Sequence, residues 1–281
     1  MSVDTYVGGA EHAVMHLMYA RFFCMVLYDL DLLSFEEPFL KLRNQGLILG
    51  PDGHKMSKSR GNVINPDDVI EQLGADTMRM YEMFMGPLEE DKPWNTDGII
   101  GVRRFLERVW NMSEKVQGSR YKVQDEEKKI ERELHYLIKK VGEDIESFGF
   151  NTAVSQFMIF VNTVYKAGEI SKRHFEIFLT LLNPFAPHIT NELWEMIGKN
   201  QLIEKEKWPK YNEKFLVEEK VTYVIQVNGK VRANIVASPK AKEDEVADLS
   251  KKDQKVASYL KGGEVIKQIF VPSKLINFVV K

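Results

Sequence analysis

The chain has 281 residues, of which 44% are hydrophobic and 28% are charged, which predicts a globular protein with room for two or three domains. Its formal net charge of -2 excludes a uniformly basic nucleic-acid-binding surface, so an RNA contact would need local basic patches. The single cysteine, Cys24, excludes an internal disulfide, and no apolar run is long enough to span a membrane. We therefore expect a cytoplasmic protein with no membrane partner.

The first segment is predicted to contain a short strand and a long helix. Residues 2–7 alternate in polarity, and two glycines then lead into a predicted helix over residues 10–29. His12 and His16 are four residues apart and would share one face of that helix. Such a pair can begin a metal site, line a substrate pocket or be partly buried and hydrogen-bonded. Because no third ligand is evident nearby, the hydrogen-bonded pair is favoured and no metal site is predicted.

A cationic loop follows the apolar run at residues 46–50. Residues 53–62 carry Lys55, Lys58 and Arg60 between glycines, and so small a loop cannot bury three cations. Their charged groups must face water or an anion, and the glycines allow the backbone to approach a ligand. A solvated basic turn is the ordinary alternative. The chemistry favours phosphate, so the loop is predicted to bind a nucleotide.

Helical patterns dominate the middle of the chain. A helix is predicted to begin at Pro66, because proline is tolerated in a first turn, and Asp76 and Arg79 are interpreted as caps or pairs rather than catalysts. Residues 91–98 are turn-rich and indicate a boundary. Beyond it, three- and four-residue spacing of apolar residues predicts an antiparallel bundle. Its helices are expected at 99–116, 126–146, 151–167, 171–182 and, after a proline-rich break, 189–197.

The composition then changes to that of a small α/β domain. Asn228-Gly229 is a strong hairpin signal, because both turn positions tolerate positive φ. Residues 217–281 contain twelve Lys or Arg against eight Asp or Glu, so this part is locally basic. Those cations are equally compatible with RNA attraction and with ordinary solubilising lysines. The expected elements are strands at 222–227, 231–236, 265–271 and 275–280 and a helix at 243–260.

Several strings resemble a known family of enzymes. Lys55-Met56-Ser57-Lys58-Ser59 matches without substitution the KMSKS signature of class I aminoacyl-tRNA synthetases. Residues 8–22 are similar, nearly letter for letter, to a segment of leucyl-tRNA synthetases that lines the adenylate site. The helical region looks like the anticodon-binding bundle of the leucine, isoleucine, valine and methionine group. Residues 226–232 and 275–280 resemble the C-terminal tRNA-binding domain of bacterial leucyl-tRNA synthetases.

The resemblance implies roles for individual residues. Lys55 and Lys58 would hold the ATP phosphates and stabilise the transition state as pyrophosphate leaves. His16 would lie near the leucine pocket, and Lys230 and Arg232 would contact tRNA. ATP would arrive with Mg²⁺ as a substrate complex, without a protein-bound metal. Further ATP- or adenylate-binding positions implied by the match are Gly8, Gly9, Glu11, His12, His54, Met56, Ser57 and Ser59.

The resemblance also implies a mainly helical, multidomain architecture. Residues 1–98 would form the C-terminal part of a Rossmann-like catalytic core that carries the KMSKS loop. Residues 99–204 would form a helical bundle of the anticodon-binding type. Residues 205–216 would be a linker, and residues 217–281 would form a small α/β domain of the tRNA-binding type.

The implied activity is ATP-dependent activation of leucine and its transfer to tRNA(Leu). Nothing in the sequence matches the HIGH motif, which supplies the other half of the ATP site in this family. We therefore expect an N-terminal half or α subunit as a partner, and no aminoacylation by this chain alone. The chain would be the C-terminal portion or the second subunit of a split enzyme. The alternatives are a non-catalytic tRNA-binding or assembly module and a fragment of a valine, isoleucine or methionine enzyme.

Overall fold

The computed structural model describes residues 2–117, 124–216, 221–239, 241–261 and 263–281. It is mainly helical and divides into two compact units, Met1–Tyr211 and Asn212–Lys281. The domain boundary predicted at residue 217 lies outside the described residues. Within the described ranges, no helix combines the length and the apolar character that crossing a bilayer requires.

Short parallel strand pairs begin the first unit. β1 (Tyr6–Gly8) pairs with β2 (Leu42–Asn44), and β3 (Ile48–Leu49) pairs with β4 (Lys92–Pro93). The strand predicted at 2–7 is confirmed only at its last two residues, because Val3 contributes no more than an isolated bridge. Pairing therefore begins just before the glycines that lead into the first helix.

Close backbone packing at Gly46 ties β3 to the chain before β4. Gly46 N donates a hydrogen bond to the Leu88 carbonyl at 2.8 Å. Lys92 N donates to the Leu47 carbonyl at 2.9 Å. A Cβ on Gly46 would lie 2.2 Å from the carbonyl carbon of Glu90, so no side chain fits there. These contacts fix the course of β3, which leads directly into the cationic loop.

The helix predicted at 10–29 is broken in its second turn. Ala10–Val14 is a 3-10 helix with hydrogen bonds to residue i−3, and Met15 leaves the helical region with φ −117° and ψ −106°. The α-helix α1 (His16–Asp29) begins only after that break. The prediction that His12 and His16 share one helical face is therefore wrong, because the tighter turn and the break remove the regular i, i+4 spacing.

Two helices and then a bundle follow. α2 (Pro66–Leu73) has proline at its first position, as predicted, and the side chain of Asn65 caps it by accepting from Asp67 N. α3 (Ala75–Phe84) packs on α2 and on the bundle. The two-residue strands β5 (Val116–Gln117) and β6 (Ile170–Ser171) pair in parallel. The bundle helices, close to their predicted bounds, are α4 (Thr96–Met112), α5 (Gln124–Ser147), α6 (Phe150–Ala167), α7 (Lys172–Leu182) and α8 (Pro187–Met196).

Aromatic side chains form much of the bundle core. Phe160 and Phe178 stack with their ring centroids 5.3 Å apart, and Phe157 meets Phe185 edge to face, also at 5.3 Å. All four side chains are buried. Buried aromatic pairs in these geometries stabilise the fold beyond the effect of the area that they bury. The bundle is thus a well-packed support for the elements that lie on it.

Asp76 and Arg79 join α3 to the turn between α7 and α8. The buried carboxylate of Asp76 accepts from Ile189 N at 2.7 Å and from His188 N at 3.3 Å, at the start of α8. Arg79 donates to the Pro184 carbonyl at 3.0 Å. The interpretation of both residues as structural partners is confirmed, because each satisfies backbone groups that the helix ends leave open.

In its described residues, the second unit contains a four-stranded sheet and two α-helices. The hairpin predicted at Asn228-Gly229 is confirmed, with φ of 51° and 76° at the two turn residues. The helix predicted at 243–260 is interrupted at Asp253, whose carboxylate caps a new helix by accepting backbone N–H groups. The elements are β7 (Val221–Val227), β8 (Lys230–Ala237), α9 (Glu243–Lys252), α10 (Gln254–Leu260), β9 (Val265–Val271) and β10 (Leu275–Val280). The strand order in the sheet is β8-β7-β10-β9, and β7 and β10 are parallel.

Candidate functional site

The cationic loop begins as a tight turn at the end of β3. Leu49 and Lys55 form an antiparallel bridge, and Gly50 N donates to the His54 carbonyl at 2.8 Å. Gly53 lies in the turn with φ 73°, a conformation that favours glycine. The turn therefore brings Lys55 back beside the end of β3. The segment that carries the lysines begins at this fixed position.

Asn62 closes the loop from its other end. Its Oδ1 accepts from Ser57 N at 2.9 Å, and its Nδ2 donates to both carboxylate oxygens of Asp52, at 3.0 and 3.1 Å. Asp52 Oδ1 also accepts from His54 N at 3.1 Å. The hydrogen bonds from Asn62 and His54 lower the pKa of Asp52, because they favour its charged form. The sequence pattern did not predict a role for Asp52 or Asn62, although short polar residues beside turn glycines often bond to the backbone.

The three cations of the loop are available to an anion. Lys55, Lys58 and Arg60 are exposed, and none of them has an ion-pair partner among the described residues. Lys58–Arg60 forms a single 3-10 turn that ends at Gly61, with φ 66°. Three cations so close in sequence create a positive local potential, which charge-assisted hydrogen bonds to phosphate oxygens would neutralise.

The other predicted loop residues divide between the core and the surface. Met56 is half-buried and packs against the hydrophobic core of the first unit. The Oγ atoms of Ser57 and Ser59 lie 3.2 Å apart, and His54 is exposed. The loop is therefore anchored by one apolar side chain, while its hydroxyl, imidazole and cationic groups lie outside the core.

The predicted adenylate segment at 8–12 has a close-packed backbone. Gly8 and Gly9 are buried, and a Cβ on Gly9 would lie 2.2 Å from a carboxylate oxygen of Glu11, which is itself exposed. His12 Nδ1 is buried and has no hydrogen-bond partner among the described residues. A buried nitrogen without a partner costs free energy, so this atom is suited to a ligand group.

His16, predicted near the leucine pocket, is exposed and held by Tyr6. His16 Nδ1 lies 3.1 Å from Tyr6 Oη, and the two rings stack with centroids 5.6 Å apart. The interpretation of His12 and His16 as a partly buried, hydrogen-bonded pair is therefore wrong in part, since His16 is exposed and His12 Nδ1 lacks a partner in the described chain. In the same described ranges, no group of three or more His, Cys, Asp and Glu could hold a metal ion.

The two predicted groups of ATP-binding residues lie beside strands of two separate two-stranded sheets. Residues 8–16 follow β1, and the cationic loop follows β3. β1 pairs with β2, and Gln45 N extends that pairing by donating to the Gly8 carbonyl at 3.4 Å before the chain enters β3. Across the described residues, we find no hydrogen bond between the two groups. Residues 45–47 thus link the sheet beside the first group to the strand that precedes the cationic loop.

α1 carries a large exposed apolar surface. Within α1 only Cys24 is buried, whereas Phe22 and Phe23 are 60% and 62% exposed. Leu30 and Leu32, just after the helix, are also exposed. Several large apolar side chains exposed along one helix of a folded protein indicate an interaction site.

Lys230 and Arg232 lie on β8 of the second unit. The guanidinium carbon of Arg232 is 3.9 Å from the centre of the Tyr259 ring, and Arg232 Nη1 donates to Tyr259 Oη at 3.1 Å. Arg232 Nε is buried and lacks a hydrogen-bond partner in the described part of the chain. These residues, with Asn228 and Ser258, line a cavity of about 490 Å³. Stacking on tyrosine holds the planar donors of an arginine in one orientation.

Two family models match the chain. The model of tRNA synthetases class I (I, L, M and V) matches residues 15–95, and that of the anticodon-binding domain of tRNA ligase matches residues 127–247. Leucine–tRNA ligases of Chlorobium phaeobacteroides and Pelodictyon phaeoclathratiforme are 48% and 49% identical to the chain over its whole length. The chain belongs to the leucine–tRNA ligase family. It spans 35% of the length of each of these relatives.

Two solved structures are similar to this member of the family. The Agrobacterium radiobacter K84 agnB2 LeuRS, in a ternary complex with tRNA and LeuAMS, is 34% identical with a TM-score of 0.76, covering 99% of this chain and 38% of that one. Mycobacterium tuberculosis methionyl-tRNA synthetase, in complex with methionyl-adenylate, shares the fold alone, at 16% identity and a TM-score of 0.54, over 70% of this chain and 44% of that one. The chain is therefore mainly helical with a class I synthetase-like fold and an anticodon-binding domain.

Proposed function

We propose that this chain supplies the phosphate-binding half of the active site of a leucine–tRNA ligase, together with its tRNA-binding parts. The observation that carries the proposal is the cationic loop. Its backbone is closed by hydrogen bonds, while Lys55 and Lys58 are exposed and have no ion-pair partner in the described chain. Cations placed in advance of the reaction stabilise the negative charge that develops in a transition state.

The first chemical step is the activation of leucine. A leucine carboxylate oxygen attacks the α-phosphorus of ATP, the bond to the bridging oxygen breaks, and pyrophosphate leaves with the electron pair. Lys55 and Lys58 hold the phosphates and stabilise the charge that accumulates on them. Mg²⁺ enters bound to the ATP phosphates and needs no all-protein site.

The second step transfers leucine to tRNA. A ribose hydroxyl at the end of the tRNA attacks the leucyl carbonyl carbon and loses its proton. The bond from that carbon to the phosphate oxygen breaks, and AMP leaves with the electron pair. The protein forms no covalent intermediate in either step, so it contributes positioning and electrostatics. We place this reaction in the cytoplasm, with protein synthesis.

The segment at 8–16 is proposed to bind the nucleoside and the amino acid. The buried glycines Gly8 and Gly9 and the side chain of Glu11 form the side that faces ribose and adenine. His12 Nδ1, buried and without a partner in the described residues, is the atom most in need of a ligand hydrogen bond. His16, stacked on Tyr6, borders the leucine pocket. Met56, His54 and the two loop serines complete the ATP-binding set.

The exposed face of α1 supports a partner. We assign this face to the N-terminal half or α subunit, which would carry the HIGH motif and the rest of the nucleotide-binding core. The curated relatives, of whose length this chain spans 35%, are long enough to include such a part. Covering Phe22 and Phe23 would remove from water apolar surface that contributes about 25 cal/mol for each Å² buried.

The proposal also divides the chain into a catalytic part and tRNA-binding parts. Residues 1–98 form the end of the catalytic core with the KMSKS loop, 99–204 the anticodon-binding-type bundle, 205–216 a linker and 217–281 the α/β domain. Lys230 and Arg232 contact tRNA(Leu) phosphates, since the stacked guanidinium of Arg232 still has a buried nitrogen without a partner in the described residues.

Leucine-dependent ATP–pyrophosphate exchange tests the proposal. The purified chain is assayed alone and with an N-terminal half that carries the HIGH motif, and valine, isoleucine and methionine replace leucine in parallel reactions. Exchange only in the mixture, and only with leucine, is the expected result. No exchange in either sample, from a folded chain that still binds tRNA(Leu), would overturn the catalytic proposal and favour the non-catalytic tRNA-binding module.

A further inference from the structure

We propose that Asp52 and Asn62 form a latch that positions Lys55 and Lys58 for the ATP phosphates, an inference that rests on the function proposed above. Asn62 binds both sides of the loop, since its Oδ1 accepts from Ser57 N and its Nδ2 donates to the Asp52 carboxylate. The two residues are ten positions apart in sequence, yet each oxygen of Asp52 lies within 3.1 Å of the amide nitrogen. Neither residue is needed to touch a phosphate, so both are positioning residues.

The surrounding backbone makes room for the latch. A Cβ on Gly50 would lie 2.7 Å from both Asn62 Nδ2 and Asp52 Oδ1, so glycine at this position leaves the space that the two polar groups fill. Gly61, with φ 66°, turns the chain after the short 3-10 helix and allows residue 62 to return to the loop. Asn62 is half-buried, in contrast to the exposed lysines.

The latch acts on the backbone from which the lysines project. Asn62 Nδ2 lies 3.4 Å from the Lys55 carbonyl, and Ser57 N is held by Asn62 Oδ1, so the chain is tied on both sides of Met56. Lys58 follows Ser57 directly. Without these ties, the loop would have to be ordered when ATP binds, at a cost in conformational entropy. With the latch, this entropy is lost when the protein folds, so the lysines are already positioned when ATP binds.

The latch also keeps the one carboxylate of the turn away from the cations. Asp52 accepts hydrogen bonds from Asn62 Nδ2 and His54 N, and it has no ion pair among the described residues. Its negative charge is therefore satisfied by neutral donors. Lys55 and Lys58 remain free to pair with phosphate oxygens instead of with their own loop.

Exchanging the two side chains provides the test. Asn62→Asp places two carboxylates at hydrogen-bond distance and should open the latch by repulsion. The double variant Asp52→Asn/Asn62→Asp restores one amide and one carboxylate in the opposite order and should recover most of the loss. Asn65→Ala is the matched control, because Asn65 caps α2 just beyond the loop.

Two measurements are made on each variant. In leucine-dependent exchange by the chain with its N-terminal half, Asn62→Asp should raise the KM for ATP by about tenfold, because hydrogen bonds to a charged group are lost. A merely structural role would lower the active fraction without changing KM. In the chain alone, hydrogen exchange of the Ser57 amide should become about tenfold faster in Asn62→Asp, recover in the double variant and stay unchanged in Asn65→Ala.

The outcomes separate the latch from the proposed function. Unchanged KM and unchanged Ser57 exchange in Asn62→Asp would overturn the latch. Faster Ser57 exchange with an unchanged KM would overturn its positioning role. Lys58→Ala is measured in the same ATP–pyrophosphate exchange assay. If Lys58→Ala keeps full activity, the proposed function fails. If Lys58→Ala loses activity and Asn62→Asp does not, only the latch is rejected.

Discussion

Replacing Asp76 by alanine should loosen the connection between α3 and the bundle. Asp76 is 7% exposed, and its carboxylate accepts from His188 N and Ile189 N in the first turn of α8. N–H groups in a first turn have no carbonyl partner within their own helix. Removing the carboxylate would therefore leave both donors without a protein partner, beside a cavity that Asp76, His188 and Ile189 line.

The expected loss follows from those two hydrogen bonds. Loss of an N-terminal helix cap costs about 1 kcal/mol, and removal of a favourable charge from the positive end of the helix dipole costs about 0.5 kcal/mol more. Each donor left without a protein partner adds up to about 1 kcal/mol, although these terms partly describe the same bonds. We therefore expect Asp76→Ala to lower the free energy of unfolding by about 2–3 kcal/mol. Asp76→Asn keeps an oxygen acceptor and should lose about half as much.

Urea unfolding followed by tryptophan fluorescence measures this loss, because Trp94 and Trp194 are buried in the core of the same unit. Asp97→Ala is the matched control, since Asp97 is an exposed acid in the first turn of α4 and should cost less than about 0.5 kcal/mol. Equal unfolding midpoints for Asp76→Ala and Asp97→Ala, with unchanged slopes, would refute the argument.

Three further predictions concern the loop, the second unit and the bundle. Lys58→Ala in the assembled enzyme should lower exchange about 10²-fold or more with tRNA binding nearly unchanged, and equal loss of both would contradict its role. Tyr259→Leu should weaken tRNA binding and reduce its salt slope by up to about 1, because Arg232 no longer stacks on an aromatic ring. The control Tyr259→Phe keeps the stack and should bind tRNA nearly as the unaltered chain does. Filter binding across salt concentrations measures both variants. Glu131→Gln should destabilise the bundle more at neutral pH than below 4.5, the ordinary pKa of a glutamate. Burial opposes ionisation of Glu131, but the hydrogen bond and charge of His174, the charge of Arg173 and the hydrogen bond of His135 together outweigh it and lower the pKa. Its contribution to stability is therefore present above the unfolded pKa and lost as pH falls through the folded one. Urea midpoints at both pH values test this, and a pH-independent difference would exclude it.

Local signals in the sequence predicted most of the helices and strands. The hairpin at Asn228-Gly229 was predictable because its turn depends on two adjacent residues, both of which adopt positive φ. The start of α2 was predictable for the same reason, since Pro66 acts only on its own turn. Apolar periodicity predicted the bundle because each of its helices buries one face.

The departures have causes that act over a longer range. Periodicity continues through Met15 and Asp253, so neither the 3-10 turn before α1 nor the interruption before α10 could be read from it. The KMSKS letters identified the lysines, but the bond between Asp52 and Asn62 spans ten residues and depends on the turns at the intervening glycines. Sequence spacing alone could not show that these two side chains meet.

The described chain closes the cationic loop, but it leaves a buried nitrogen in the segment at 8–16 without a partner and the apolar face of α1 uncovered. The cationic loop is closed by hydrogen bonds among its own residues and anchored in the core by Met56. By contrast, His12 Nδ1 has no partner in the described residues and the face of α1 is exposed. Because order in the loop depends on local hydrogen bonds, we expect the N-terminal half to leave the loop unchanged and to protect α1. Hydroxyl-radical labelling at Phe22 should fall several-fold in the mixture, while labelling at the exposed Met196, at the end of α8, stays constant. Equal labelling of Phe22 with and without that half would mean that α1 is not the contact surface.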